Sequence, residues 1–262
     1  MKLVKLLNLY ELVEYREMLR NLTTYDLRTR YRGSIAGFLW TFLNPLLLLS
    51  VYYLVFSTVM RVDLDFYFLY MFIGLLPWTM FQSTVLTGVN SILSNANLIK
   101  KIYFPREIIP MSLLFSGIIN YFLGMVIVAP FLFLLDLNVL RILIWFPIVL
   151  ITQSMFTLGL IYLLSALNVF FRDIGHVVSL LITAWFYFTP VVYPDTMIPK
   201  EYRELFDLNP MKLFLDIYHN IFFYNKPVTI QHGLLCFGIS LLILALGWVV
   251  FKKLEKKFAE EI

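Results

Sequence analysis

Residues 25–47 read "YDLRTRYRGSIAGFLWTFLNPLL". Arg28, Arg30 and Arg32 stand at alternate positions, and beyond Gly33 and Ser34 the charge vanishes. The apolar run that follows carries Asn44-Pro45. A proline inside a helix removes a backbone donor and bends the helix. A basic cluster set directly against a long apolar segment predicts a chain entering a bilayer from a face rich in anionic headgroups, with Gly33 as the turn upward. The plainer reading of the arginines is that they only mark the inner side of the membrane.

The rest of the chain agrees with a lipid environment. Of 262 residues 60% are hydrophobic and 15% charged, against about 25% charged in an average soluble domain. With 25 Phe, 16 Tyr and 5 Trp, there is more apolar surface than a soluble fold of this size can bury. Cys236 is the single cysteine and lies in an apolar stretch, so it reads as a small hydrophobe. More than thirty residues, eleven of them charged and most of them helix-forming, precede the first apolar run, which is not the layout of a secretory signal peptide.

Six stretches reach the roughly 20 apolar residues that a membrane-crossing helix needs: 35–60, 66–93, 108–135, 142–171, 174–194 and 228–251. The expected fold is therefore all-α, with six transmembrane helices. Fifteen of the 21 Lys and Arg fall before the first stretch, in the second and fourth loops and in the tail, and six fall on the opposite side. The positive-inside rule then places both termini in the cytoplasm. Lys2, Lys5, Arg16 and Arg20 lie within roughly 60° of each other on a helical wheel, so 1–34 is expected to form an amphipathic helix on the cytoplasmic leaflet. Residues 35–251 form the membrane domain, with a cytoplasmic loop at 94–107 and an external loop at 195–227; 252–262 is a cytoplasmic tail. Within the external loop, 206–223 is too apolar to be solvated. It reads as one or two short helices broken at Asn209-Pro210 and lying in, or dipping into, the interface.

Several chemistries are excluded by what the chain lacks. Every Asp, Glu, Lys and Arg lies outside the six apolar cores, whereas carriers driven by protons or sodium usually keep an ionisable group in the membrane. His176, near Asp173, is the nearest candidate and reads as a structural helix-end residue. The dipeptide Gly-Lys never occurs, so there is no G-x-x-x-x-G-K-[ST] phosphate loop; H-E-x-x-H and G-x-S-x-G are absent too. Uphill transport would need a second protein as its energy source. Asn44 and Pro45 in the first span and Pro77 in the second are expected helix kinks. Such kinks suit the wall of a gated pathway, and equally the ordinary tolerance of proline in a helix bundle.

Three segments carry a family resemblance. "LRTRYRGSIAGFLWTFLNPLL", "NANLIKKIYFPREIIP" and "LNVFFRDIGHV" resemble, in order and position, the membrane subunits of ABC exporters for cell-surface polysaccharides, most closely the O-antigen export permeases. Capsule and teichoic acid permeases are relatives. The resemblance runs from about residue 19 to 251. It implies a homodimeric permease in the cytoplasmic (inner) membrane working with two copies of a separate ABC ATPase. The chain itself would hold no cofactor or metal and would not be an enzyme; ATP and Mg would bind the partner. The cargo would be a polyprenyl-linked polysaccharide, and nothing points to nucleic acid.

The resemblance assigns Lys100, Lys101, Tyr103, Phe104, Pro105, Arg106 and Glu107 to a coupling loop that docks on the ATPase, and the short helices within 206–223 to an external gate. Arg28, Arg30 and Arg32 become anchors at the inner surface or contacts to a lipid-linked pyrophosphate. Sugar rings stack on aromatic faces. Phe38, Trp40, Phe42, Tyr52, Tyr53 and Phe56 of the first span, and Trp185, Phe186, Tyr187, Phe188 and Tyr193 of the fifth, are thus candidates to line the path. An aromatic belt at the lipid interface is the alternative for these rings. Other functional readings remain: an ABC permease for a hydrophobic small molecule, a membrane-embedded lipid or sugar transferase, or a structural membrane protein.

Overall fold

The computed structural model describes residues 14–30, 37–62, 64–132 and 137–262, and among them all regular structure is helical. Among the described residues, five helices are long and apolar enough to cross a membrane. The first, α2 (Trp40–Tyr53), widens into a π-helical stretch, Leu54–Val59. The others are α3 (Tyr67–Val89), α6 (Ile108–Leu132), α7 (Val139–Phe170) and α11 (Ile230–Leu254). Shorter pieces fill the connections: α1 (Arg16–Arg30) before the bundle, α4 (Ser91–Ser94) and α5 (Ala96–Lys101) between α3 and α6, and α8 (Ile174–Tyr187) after α7. Then come α9 (Arg203–Asp207), α10 (Pro210–Phe222) and a last turn, α12 (Phe258–Glu261).

The bundle is built around α3, whose apolar window is 78% buried, whereas that of α2 is only 11% buried. Trp78, Phe72, Phe81, Met71 and Leu75 of α3 are fully enclosed. Small residues set the spacing, as they do wherever helices pack in lipid without a hydrophobic driving force. A Cβ at Gly117 of α6 would collide with Thr84 of α3, and one at Gly124 would lie 2.5 Å from Leu76 Cδ2. Where α7 crosses α11, a Cβ at Gly247 would overlap the carbonyl of Gly159. The two backbones touch there.

Buried amides stitch the helices together. Pro77 cannot donate within α3; beside it, Gln153 Nε2 of α7 donates to the Pro77 carbonyl at 2.9 Å, and Tyr218 Oη of α10 donates to Gln153 Oε1 at 2.9 Å. Asn168 Nδ2 donates to the carbonyl of Val89 at 3.1 Å and to Asn90 Oδ1 at 3.0 Å, while its Oδ1 accepts from the Gly175 N–H at 3.1 Å. That one side chain fixes the turn from α7 into α8 against the end of α3.

The fifth apolar stretch, expected as a helix over 174–194, is helical only over the 14 residues of α8. At 1.5 Å per residue that is about 21 Å, short of the roughly 30 Å of a hydrocarbon core. The reason is Pro190, which disfavours a helical residue before it. The chain then runs through Thr189–Val192 in non-helical form, fully buried. Backbone of this kind survives at membrane depth only when protein groups satisfy it. Here Tyr67 Oη donates to the Val192 carbonyl, Tyr70 Oη to that of Tyr193 at 3.2 Å, and Asn209 Nδ2 to that of Phe188 at 2.8 Å.

Within 195–227 the chain breaks at Asn209-Pro210. Asn209 caps α10 by accepting from the Met211 N–H at 3.0 Å, and Pro210 takes the first helical position. The helix does not lie on the surface: Met211, Phe214, Leu215, Ile217, Tyr218, Ile221 and Phe222 are buried against α3 and α7. At the other end of the bundle, Ile92, Ile99, Phe104, Tyr162, Phe251 and Phe258 form a second apolar cluster, on which Tyr15, Met18 and Leu22 also pack. The start of α1, the 90–107 connection and the tail after α11 therefore share one end. Along its length α1 rests on α6, where Thr23 Oγ1 donates to the Ser112 carbonyl at 3.3 Å and Ser116 Oγ donates to Asp26.

Candidate functional site

At the cluster-bearing end, the loop after α5 projects. Helix α5 ends at Lys101, and Ile102 turns extended, with φ −131° and ψ 136°. Extended backbone sends consecutive side chains to opposite sides. Tyr103 accordingly points out, 93% exposed, while Phe104 points in, 4% exposed, among Ile99, Phe251 and Phe258. Lys100 and Lys101 are exposed beside Tyr103. A cleft of about 550 Å³ runs alongside, bordered by Tyr15, Tyr103, Pro105, Arg106 and Lys256.

Behind the loop lies an ionic tie to α11. Glu107, 2% exposed, precedes the first residue of α6, where a carboxylate suits the helix dipole. Its Oε1 lies 2.5 Å from Lys252 Nζ, and the same ammonium reaches Glu255 Oε1 at 3.2 Å. Arg106 Nη1 donates to the Glu255 carbonyl. Of the seven loop residues expected to meet a partner, Lys100, Lys101 and Tyr103 are exposed and Pro105 and Arg106 half-buried. Phe104 and Glu107 are turned inward. Their side chains hold the loop and cannot touch a protein docking from outside.

The other expected residues divide similarly. Arg28 is exposed on α1. Arg30 closes that helix, with its side chain outside the described residues, as Arg32 is altogether. Phe38 lies in the turn before α2, and its side chain is likewise outside them. Phe42, Tyr52 and Phe56 are half-buried and Tyr53 is exposed. Tyr52 stacks on Phe186 with centroids 5.3 Å apart, which brings α2 beside α8. Tyr187 and Phe188, 64% and 58% exposed, stand next to that contact. Trp185, expected to line a path, faces inward. Its rings meet Phe81 and Phe156 edge-on, and its Nε1 donates to Asn209 Oδ1 at 2.8 Å. Asn44 is exposed, Pro45 half-buried and Pro77 buried.

Polar groups at the opposite end were not singled out by their spacing in the sequence. Lys212 of α10, almost fully buried, is shared by three carboxylates: Asp207 at 2.7 Å, Asp195 at 3.2 Å and Asp216 at 3.4 Å. Asp216 is the most enclosed of the three, and burial first, then the neighbouring Asp195, pushes its carboxyl up to about 7. Lys212 stays charged between the other two. His219 stacks on Tyr70 at 4.0 Å and donates from Nε2 to the Tyr70 carbonyl at 3.1 Å; burial lowers its pKa to about 4, so it is neutral. No group of three or more metal-ligating side chains occurs among the described residues.

Comparison with known proteins places this architecture. Residues 18–223 match the family described as ABC-2 type transporter. The chain is 37% identical over 258 residues to the O-antigen export system permease protein RfbA of Myxococcus xanthus, covering 96% of this chain and 98% of that one. It is 34% identical over 245 residues to the O-antigen export system permease protein RfbA of Klebsiella pneumoniae, covering 93% and 94%. With a family match across most of its length and relatives covered almost end to end, the chain belongs to the ABC-2 type transporter family of membrane proteins.

Proposed function

We propose that this chain is the membrane subunit of an ATP-driven exporter that moves lipid-linked cell-surface polysaccharide of the O-antigen type across the cytoplasmic membrane. Two copies form the translocation path, and two copies of a separate ATPase subunit bind ATP and magnesium. The relatives named as O-antigen export permeases support the cargo. The observation that carries the transport reading is the Tyr103 loop: an almost wholly exposed aromatic ring, flanked by Lys100 and Lys101 and braced from behind by Phe104 and Glu107. An exposed aromatic on a braced loop is a docking point for a protein partner.

That α1, the loop and the tail share one end supports an even number of crossings. The five long helices alone would give an odd number; in this reading α8 with 188–194 supplies the sixth crossing. Both termini and the Tyr103 loop then lie in the cytoplasm, and α10 lies toward the outside. Tyr53, Tyr187 and Phe188 offer exposed ring faces on two adjacent helices, and such faces bind the C–H faces of sugars at low entropic cost. ATP-driven closure of the partner would displace the loop and, through Glu107 and Lys252, the ends of α6 and α11.

Deleting the gene and measuring surface polysaccharide tests the reading. The deletion strain should lose the polymer. Wild type should restore it, whereas Tyr103→Ala at matched membrane levels should not, and should fail to retain the ATPase on purification. Undiminished surface polysaccharide in the deletion strain would show that the chain serves another cargo.

A further inference from the structure

Between α2, α3 and α6 lies a cavity of about 200 Å³ whose walls include Trp40, Thr41, Asn44, Thr79, Ser83 and Asn120. Among the described residues, no Asp, Glu, Lys or Arg borders it. Its polar groups are under-satisfied. Both amide atoms of Asn120 are buried without a partner in the protein, and so is Oγ1 of Thr41, a residue only 6% exposed. Pro45 lies four residues after Thr41 in α2 and has no N–H to offer the Thr41 carbonyl. In hydrocarbon such groups are costly unless something pairs with them. A lipid tail has nothing to pair with, and an ion would find no countercharge. A neutral group bearing several hydroxyls matches the donors and acceptors on offer.

The shape narrows this further. A dry cavity of roughly 150 Å³ admits benzene, so this one admits a single six-membered ring. Trp40 supplies an aromatic wall, and Asn44, exposed on α2, marks the mouth. An exposed amide within a spanning helix belongs beside water and not beside lipid tails.

We infer that this cavity is a subsite for one uncharged sugar ring of the cargo, held by Asn120 and Thr41 against Trp40 while the polymer passes α2. The inference rests on the export reading above.

The test uses the permease–ATPase complex in lipid nanodiscs, with Cys236→Ala as background and Ser83→Cys as the single thiol, at a wall residue outside the proposed holding pair. A hydrophilic thiol reagent should label it, and a large excess of methyl glucoside should slow labelling several-fold while glucuronate does not. Absence of labelling means a dry cavity and overturns the inference. Labelling that no sugar slows means the cavity holds water only and also overturns it, as does equal protection by glucuronate.

In cells, Asn120→Leu removes the unpaired amide, so thermal stability should hold or rise while surface polysaccharide falls several-fold. If the deletion strain lacks polymer and Asn120→Leu restores it fully, the subsite alone is wrong. If the deletion strain keeps its polymer, the export reading is wrong.

Discussion

Tyr103 and Phe104 are neighbours in the chain with opposite tasks. Tyr103→Ala removes a ring that touches almost nothing in the folded subunit, so its stability should change by no more than about 0.5 kcal/mol. Phe104→Ala opens a hole among Ile99, Phe251 and Phe258 and should cost about 3–5 kcal/mol. Thermal melts of the purified subunit separate the two, and equal losses would mean that Tyr103 is packed. Asp216 allows a second measurement. Its carboxyl titrates near 7 in the folded protein, well above the ordinary range near 4. Between those values the folded form holds a proton that the unfolded chain has released. This contribution is therefore greatest at the acid end and is lost as pH rises toward 7, flattening above it. The melting temperature should fall across that window, by an effect on the order of a few kcal/mol, and Asp216→Asn should remove most of the slope. An unchanged slope in the variant would place the titration elsewhere.

At the scale of elements, hydropathy located every long helix because a run of apolar residues is what lipid demands of any crossing segment. It overstated α8, because hydropathy adds up side chains and ignores the backbone. Pro190 and Pro194 carried the missing information. The break before α10 was legible because Asn209-Pro210 is a capping residue followed by a residue that can only start a helix. The depth of α10 was not legible, since the partners that bury it come from α3 and α7, far away in sequence. The inward turn of Trp185 was hidden for the same reason: Asn209 lies 24 residues away. Asn209 joins three of these features: the cap of α10, the indole of Trp185 and the carbonyl of Phe188. Losing a cap costs about 1 kcal/mol, and stranding buried donors and acceptors costs about 1–3 kcal/mol more. Asn209→Ala should therefore lower stability by about 2–4 kcal/mol in a thermal melt, and Asn209→Asp, which keeps the acceptor oxygens, by less. If Asn209→Ala melts like the wild type, these hydrogen bonds do not hold the 188–194 segment.

Over the whole molecule, the proposed topology puts both termini on one side of the membrane and 195–227 on the other. Reporter fusions after residue 262 and within 195–227 should fall on opposite sides of the membrane, and finding both on one side would remove the sixth crossing. What the sequence could not disclose was mechanical. The glycine contact between α7 and α11 leaves no slack between those helices. Helix α11 is an unbroken 25-residue helix, about 37 Å long. One end is tied through Lys252 to the base of the Tyr103 loop; near the other, His232 Nε2 donates to the Leu213 carbonyl of α10 at 3.0 Å. If the proposed coupling holds, a continuous helix of that length would act as a push-rod: a stroke delivered at the loop would be passed to α10 with no intermediate joint to absorb it.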